Sequence, residues 1–176
     1  AGRGLGLEVI SGVELSVKGE GYHVHLLGYL FDINDAQLES RLKNIQHNRS
    51  IRNYKILARL NELGINLEMA EVEEVSGPGQ LGRPHIATML LRKKYVKTMD
   101  DAFISYLGAQ GSAYIPRSVL QLTDAIELIK DAGGIAVLAH PYNLTMQEKG
   151  LARIVAEMTD IGLDGIEVYY PTHSRK

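Results

Sequence analysis

Two spacings of apolar residues divide the chain. From Leu7 to Leu15 the residues are apolar apart from Glu8, Ser11 and Gly12, with Glu14 near the end, which predicts a strand. Gly19-Glu20-Gly21 supplies a turn, and Tyr22 to Leu30 reads as a second strand with His23 and His25 on one face. The period then changes. Leu38, Leu42 and Ile45, then Ile56, Leu57, Leu60 and Leu63, fall at helical spacing over Asp35–Leu63, with a break near Asn48 open and Gly64 as the residue that ends the helix. After a loop at Ser76–Gln80, Pro84 predicts a helix over Arg83–Lys94, and a short one follows over Met99–Leu107. Ser118 and Gln121 have capping-box spacing for a helix ended by Gly133 and Gly134. A run from Gly134 to Ala139 predicts a buried strand, and helix Leu151–Ile161 leads to strand Gly165–Tyr170.

Strand–helix–strand–helix order implies parallel strands joined by right-handed crossovers. Residues 32–118 interrupt that order with helices alone. The expectation is an α/β scaffold over 1–31 and 119–176, with a helical insertion domain over 32–118.

The strand at Gly134–Ala139 stops on His140 and Pro141, and the carboxyl ends of barrel strands are where catalytic and metal-binding side chains collect. Glu14 and His25 also fall at or near predicted strand ends. Taken singly, each has an ordinary structural reading: His25 as a hydrogen-bonded part of the fold, Glu14 as a surface charge. Taken together, imidazole and carboxylate suit zinc, manganese or iron better than calcium. Arg83 and His85 flank Pro84 at a helix start, where unpaired amides and the dipole favour an anion. A guanidinium there offers a bidentate grip on phosphate, and Arg117 is a weaker case of the same kind. The basic face of the first insertion helix (Arg41, Lys43, Arg49, Arg52, Lys55, Arg59) reads as solvated, as do Lys93, Lys94 and Lys97.

Composition removes several classes. The 176 residues contain no cysteine, which excludes disulfides and thiolate chemistry and fits a reducing cytoplasm. A net charge of −2 argues against wholesale attraction to nucleic acid, though not against a local basic patch. No apolar run approaches the roughly 20 residues of a membrane span, and no obligate protein partner is evident. There is no Gly-x-Gly-x-x-Gly, phosphate-binding P-loop or Gly-x-Ser-x-Gly elbow. The first residue is Ala1 rather than methionine, and Ala1–Gly6 runs straight into strand-like sequence, so a piece of a longer polypeptide is expected.

Five short motifs occur in order: Gly12-Val13-Glu14-Leu15-Ser16, Val24-His25-Leu26-Leu27-Gly28-Tyr29, Gly82-Arg83-Pro84-His85-Ile86-Ala87, Ala139-His140-Pro141 and Gly165-Ile166-Glu167-Val168-Tyr169-Tyr170. Together they resemble the PHP (polymerase and histidinol phosphatase) family, and within it the bacterial phosphoesterases acting on nucleoside 3′,5′-bisphosphates and short oligonucleotides. The resemblance covers nearly the whole chain. It implies a distorted (β/α)7 TIM-like barrel, present in part, with two or three divalent ions (Mn, Fe, Zn or Mg) at the strand ends. It makes Glu14, His25 and His140 metal ligands, and Arg83 and His85 phosphate-binding residues, with His173 matching a further family histidine. The implied activity is hydrolysis of nucleotide phosphate monoesters by metal-activated water. Alternatives are a histidinol-phosphatase-like enzyme and a non-catalytic nucleic-acid-binding or structural module. The family's opening His-x-His, Ser-Asp-Gly and Asp-His-Asp segments and its closing Gly-Ser-Asp-x-His are absent from the 176 residues, so this chain carries only part of the expected ligand set.

Overall fold

The computed structural model describes residues 2–77, 79–141 and 150–171. The chain divides into two compact units, one formed by Ala1–Leu42 with Val119–Lys176 and the other by Lys43–Ser118.

The first unit is built on one five-stranded sheet of order β3-β1-β2-β4-β5. Strands β1 (Gly12–Gly19) and β2 (Tyr22–Tyr29) form an antiparallel hairpin in which Gly19 faces Tyr22. The two-residue turn between them places Gly21 at φ +81°, a conformation glycine adopts without a Cβ clash. β3 (Leu120–Gln121) adds in parallel to β1, β4 (Ile135–Leu138) in antiparallel to β2, and β5 (Gly165–Ile166) in parallel to β4. β2 therefore runs against the other four. The helix-linked strands β3, β4 and β5 do run in one direction, as strand–helix–strand order implies, while the two-residue turn returns β2 antiparallel to β1.

Alternation sorts the sheet into two faces. Leu15 and Val17 of β1, Tyr22, Val24 and Leu26 of β2, and Ala136 and Leu138 of β4 are buried. Helices α5 (Leu122–Asp131) and α6 (Leu151–Ile161) contribute Ile126, Ile129, Ile154 and Met158 to the same core. The approach of α5 is close enough that a Cβ on Gly28 would stand 3.0 Å from the Ile129 side chain and 3.2 Å from Val13. Tyr22 reaches α6, donating its hydroxyl proton to Glu157 Oε1 at 3.0 Å. Burial, and then the Glu157 carboxylate, hold that hydroxyl strongly in its neutral form. Helix α1 (Ala36–Glu62) starts at Asp35, whose Oδ1 accepts the Leu38 N–H at 2.7 Å, and sends Leu38 into a small cluster with Phe31, Leu128 and Ala132.

The second unit has its own core, in which Ile56, Leu57 and Leu60 of α1 meet Val72 of α2 (Met69–Ser76) and Ile86, Ala87 and Leu90 of α3 (Arg83–Arg92). α4 (Met99–Ala102) continues into a π-helical turn, Phe103–Leu107. Thr98 caps α4 reciprocally with Asp101, each accepting the other's backbone N–H at 3.0 Å.

Several boundaries move from their expected places. The first strand begins at Gly12 rather than Leu7, since Leu7, Val9 and Ile10 are exposed and precede the ladder with β2. α1 runs unbroken past Asn48. Ser118 does not cap α5, because Leu120 and Gln121 first pair with Val17 and Lys18. β5 ends at Ile166, short of Tyr170. α2 escaped the apolar spacing altogether.

A candidate metal centre on the sheet face opposite the core

Glu14, Ser16 and Lys18 project from β1 on the face opposite the core, as do His23, His25, Leu27 and Tyr29 from β2. Glu14 faces Leu27 in the ladder and His25 faces Ser16, so Glu14 and His25 are diagonal neighbours. Neither sits at a carboxyl end as expected: Glu14 is the third residue of β1, and His25 lies mid-strand. His140 does follow a strand end.

How His140 joins them is a matter of parity. Ala139 continues the ladder by donating its N–H to the His25 carbonyl at 3.0 Å. The next residue has the parity of Leu138 and, in a continued strand, would point into the core. Instead His140 takes φ +29°, a conformation that is uncommon for a residue with a Cβ, and the alternation breaks. Its imidazole turns to the face that carries Glu14 and His25.

The three side chains converge. His25 Nδ1 lies 2.6 Å from Glu14 Oε1 and 3.0 Å from His140 Nε2, which in turn lies 3.4 Å from Glu14 Oε1. The imidazoles meet edge to face, with centroids 4.9 Å apart and planes at 78°. Their ligand atoms all fall within 4.8 Å of one another. Three lone-pair-bearing atoms this close repel unless a proton or cation lies among them. Ligand bonds of about 2.0–2.2 Å to nitrogen and oxygen span such a triangle, and a His2Glu set leaves a coordination position for water. The donor set and spacing fit a divalent ion of the zinc, manganese or iron type.

The triad opens on a cleft of about 480 Å³, also lined by Leu27, Tyr29, Ala139, Glu167 and Tyr170. The Tyr170 ring stands 5.4 Å from His140. Glu167, just past β5, accepts the His140 N–H on Oε2 at 2.6 Å. Sequence reading assigned Glu167 no role, because the predicted strand Gly165–Tyr170 placed it mid-strand rather than past an end.

The remaining expected residues belong to the second unit or lie outside the described residues, as His173 does. Arg83 opens α3 but turns its Nη1 to the Leu107 carbonyl at 2.8 Å, with its guanidinium 5.7 Å over the Phe103 ring. His85 Nδ1 accepts the Gly82 N–H at 3.0 Å, which places the proton of the neutral ring on Nε2. Two cations expected to be solvated are instead tied to the segment before Arg117: Arg52 Nε donates to the Ile115 carbonyl and Arg59 Nη1 to the Tyr114 carbonyl, each at 2.7 Å. Lys93, also expected to be solvated, pairs with Glu71 at 2.6 Å. Arg49, Arg52, Arg83 and Arg117 are close enough to act on one another. Burial first, then Arg83, Arg117 and Arg49, lower the proton affinity of Arg52. Burial, then Arg83 and Arg49, do the same to Arg117.

No family model matches the chain. It is 31% identical over 168 residues to the 5′-3′ exoribonuclease of Haemophilus influenzae, covering 96% of this chain and 61% of that protein. It is 30% identical over 177 residues to the 3′,5′-nucleoside bisphosphate phosphatase of Chromobacterium violaceum, covering 96% and 60%. Two solved structures share the fold. One, assigned as a metal-dependent phosphoesterase of Bifidobacterium adolescentis, superposes with a TM-score of 0.78 at 28% identity, over 94% of this chain and 59% of that one. The other, an amidohydrolase of Chromobacterium violaceum with bound sulfate and no metal, gives 0.75 at 30% identity, over 89% and 56%. The chain thus spans about six-tenths of the length of the curated relatives it matches, and those relatives are named for the cleavage of phosphate esters in RNA or nucleotides.

Proposed function

We propose that this chain is part of a PHP-family phosphoesterase that hydrolyses phosphate esters of nucleotides, either 3′,5′-bisphosphates or short oligoribonucleotides, with divalent metal. The observation that carries the reading is the convergence of His25 Nδ1, His140 Nε2 and Glu14 Oε1 on one point at the mouth of a cleft. In this reading the five-stranded sheet is one part of the family's TIM-like barrel, and 32–118 is the helical insertion, with 43–118 as its compact unit.

Glu14, His25 and His140 hold the ion. A divalent ion there supplies Lewis acidity toward phosphoryl oxygen and acidifies water. His25 and His140 serve as neutral nitrogen donors, and the Glu14 carboxylate offsets part of the ion's charge. In the second unit, Arg83 and Arg117, reinforced by Arg49 and Arg52, present clustered positive charge suited to a phosphate group. His85 offers its Nε2–H as a further donor, and His173 keeps a substrate-binding role on sequence resemblance alone. The 5′-3′ exoribonuclease and bisphosphate phosphatase names of the relatives support nucleotide phosphate as the substrate class.

The test, made on the full-length protein that contains this chain, is release of phosphate from adenosine 3′,5′-bisphosphate, and of mononucleotide from a 5′-phosphorylated oligoribonucleotide, with and without Mn²⁺. The expected result is release that requires Mn²⁺, stops with chelator and is lost in His140→Ala. Release that persists in chelator, or none from the full-length protein with Mn²⁺ bound, contradicts the reading.

A further inference from the structure

On its β5 side, β4 presents a row of backbone groups, and the bonds they make change character at both ends of the strand. In the middle the partners are backbone: Asp164 N–H donates to the Ala136 carbonyl at 2.8 Å and Glu167 N–H to the Leu138 carbonyl at 2.9 Å. At the ends they are carboxylates. Asp164 Oδ2 accepts the Ala136 N–H at 2.8 Å, and Glu167 Oε2 accepts the His140 N–H at 2.6 Å. The second of these falls on the residue whose positive φ breaks the strand's alternation.

We infer that Glu167 is a positioning residue for the candidate metal centre: its carboxylate grips the His140 amide and holds the backbone break that aims the imidazole at His25 and Glu14. This rests on the metal-centre reading of those three residues. A non-glycine residue at positive φ persists only where its surroundings over-determine it. Two bonds bracket this one. The Ala139 N–H on the His25 carbonyl fixes the preceding residue to β2, and the Glu167 carboxylate fixes the His140 amide on the β5 side. A bond to a carboxylate is shorter and stronger than one to a neutral carbonyl, in keeping with its 2.6 Å length. Glu167 is itself tethered by its own N–H on Leu138, so a single residue clasps both sides of the break. Ordinary ladder pairing would instead continue the strand and send the ring toward the core.

Three proteins decide the matter: the parent, Glu167→Ala and Glu167→Gln, each checked for native secondary structure by circular dichroism. The alanine variant removes the acceptor, whereas glutamine keeps an acceptor oxygen without the charge. Without metal, the His140 amide should exchange with solvent at least about 10-fold faster in Glu167→Ala, with the contact between the His25 and His140 rings lost by nuclear Overhauser measurement. Glu167→Gln should recover most of both. In Mn²⁺ titrations read by electron paramagnetic resonance, Glu167→Ala should bind about 10–100-fold more weakly, the loss typical of a partner that orients a ligand. An unchanged amide and unchanged ring contact in Glu167→Ala overturn the positioning role. A parent that binds no Mn²⁺ would sink the metal reading instead, while the amide and ring measurements still judge Glu167.

Discussion

His25 Nδ1 stands 2.6 Å from Glu14 Oε1 although the ladder pairs neither with the other. Diagonal neighbours across an antiparallel pair lie about 7–8 Å apart along the backbone, so the two side chains lean toward a shared point that His140 also reaches. Glu14→Gln keeps the shape and removes the charge. It should weaken Mn²⁺ binding more than about 100-fold, beyond the effect of an orienting partner. Because both side chains are partly exposed, unfolding stability should change by less than about 1 kcal/mol. Titration and thermal denaturation on one sample separate the two outcomes.

Arg83 and Arg117 should part company on mutation. Arg83 holds the Leu107 carbonyl and covers Phe103, so Arg83→Ala should cost roughly 1–2 kcal/mol of stability as well as raising KM for a doubly phosphorylated nucleotide. Arg117 is crowded by Arg83 and Arg49. Arg117→Ala should lower the salt dependence of oligonucleotide binding by about one unit of slope. A slope unchanged from the parent would contradict a phosphate-binding role.

Gly28 is needed for the approach of α5. A valine there drives its side chain against Ile129 and Val13 and should destabilise the chain by roughly 1–3 kcal/mol, read as a lowered urea midpoint with little change in slope.

Asp164 gives the sheet a pH dependence of definite sign. Its hydrogen bond with Lys130, then that with the Ala136 amide, hold its carboxyl below the usual range. The contribution is therefore present above the unfolded value, about pH 4, and is lost as pH falls through the lower folded value. Asp164→Asn should reduce Tm at pH 7, and the gap to the parent should close in acid. A gap that is constant from neutral to strongly acidic pH would show that the charge is irrelevant.

Much of this arrangement is legible in the residues. The apolar run before His140 marks a buried strand by itself, and Gly64 does end α1: it lies at φ +80°, and the Ile65 N–H returns to the Leu60 carbonyl. The same spacing cannot report strand direction, so the antiparallel β2 went unread although Gly21 signalled the turn. Leu7–Ile10 looked like a strand because apolar composition does not reveal whether a pairing partner exists. α2 was missed because Glu71, Glu73 and Glu74 dilute its apolar stripe to little more than Val72 and Val75. Histidine and glutamate identities pointed to the metal centre, but the means of bringing His140 to the right face did not show. A positive φ at a non-glycine residue leaves no mark in composition, and Glu167 is set apart only by a bond formed in three dimensions. Nor does charge spacing along α1 reveal that the Tyr114–Ile115 carbonyls fold back to take Arg59 and Arg52.

Metal content tests the central claim most directly. The protein should be purified without chelator, supplied with Mn²⁺, freed of loose ion and analysed by elemental mass spectrometry beside His140→Ala. At least one divalent ion per chain in the parent, and a clear deficit in the variant, is the expected result. A parent with no retained ion after Mn²⁺ loading, or a variant that retains as much as the parent, would contradict a metal centre at Glu14, His25 and His140.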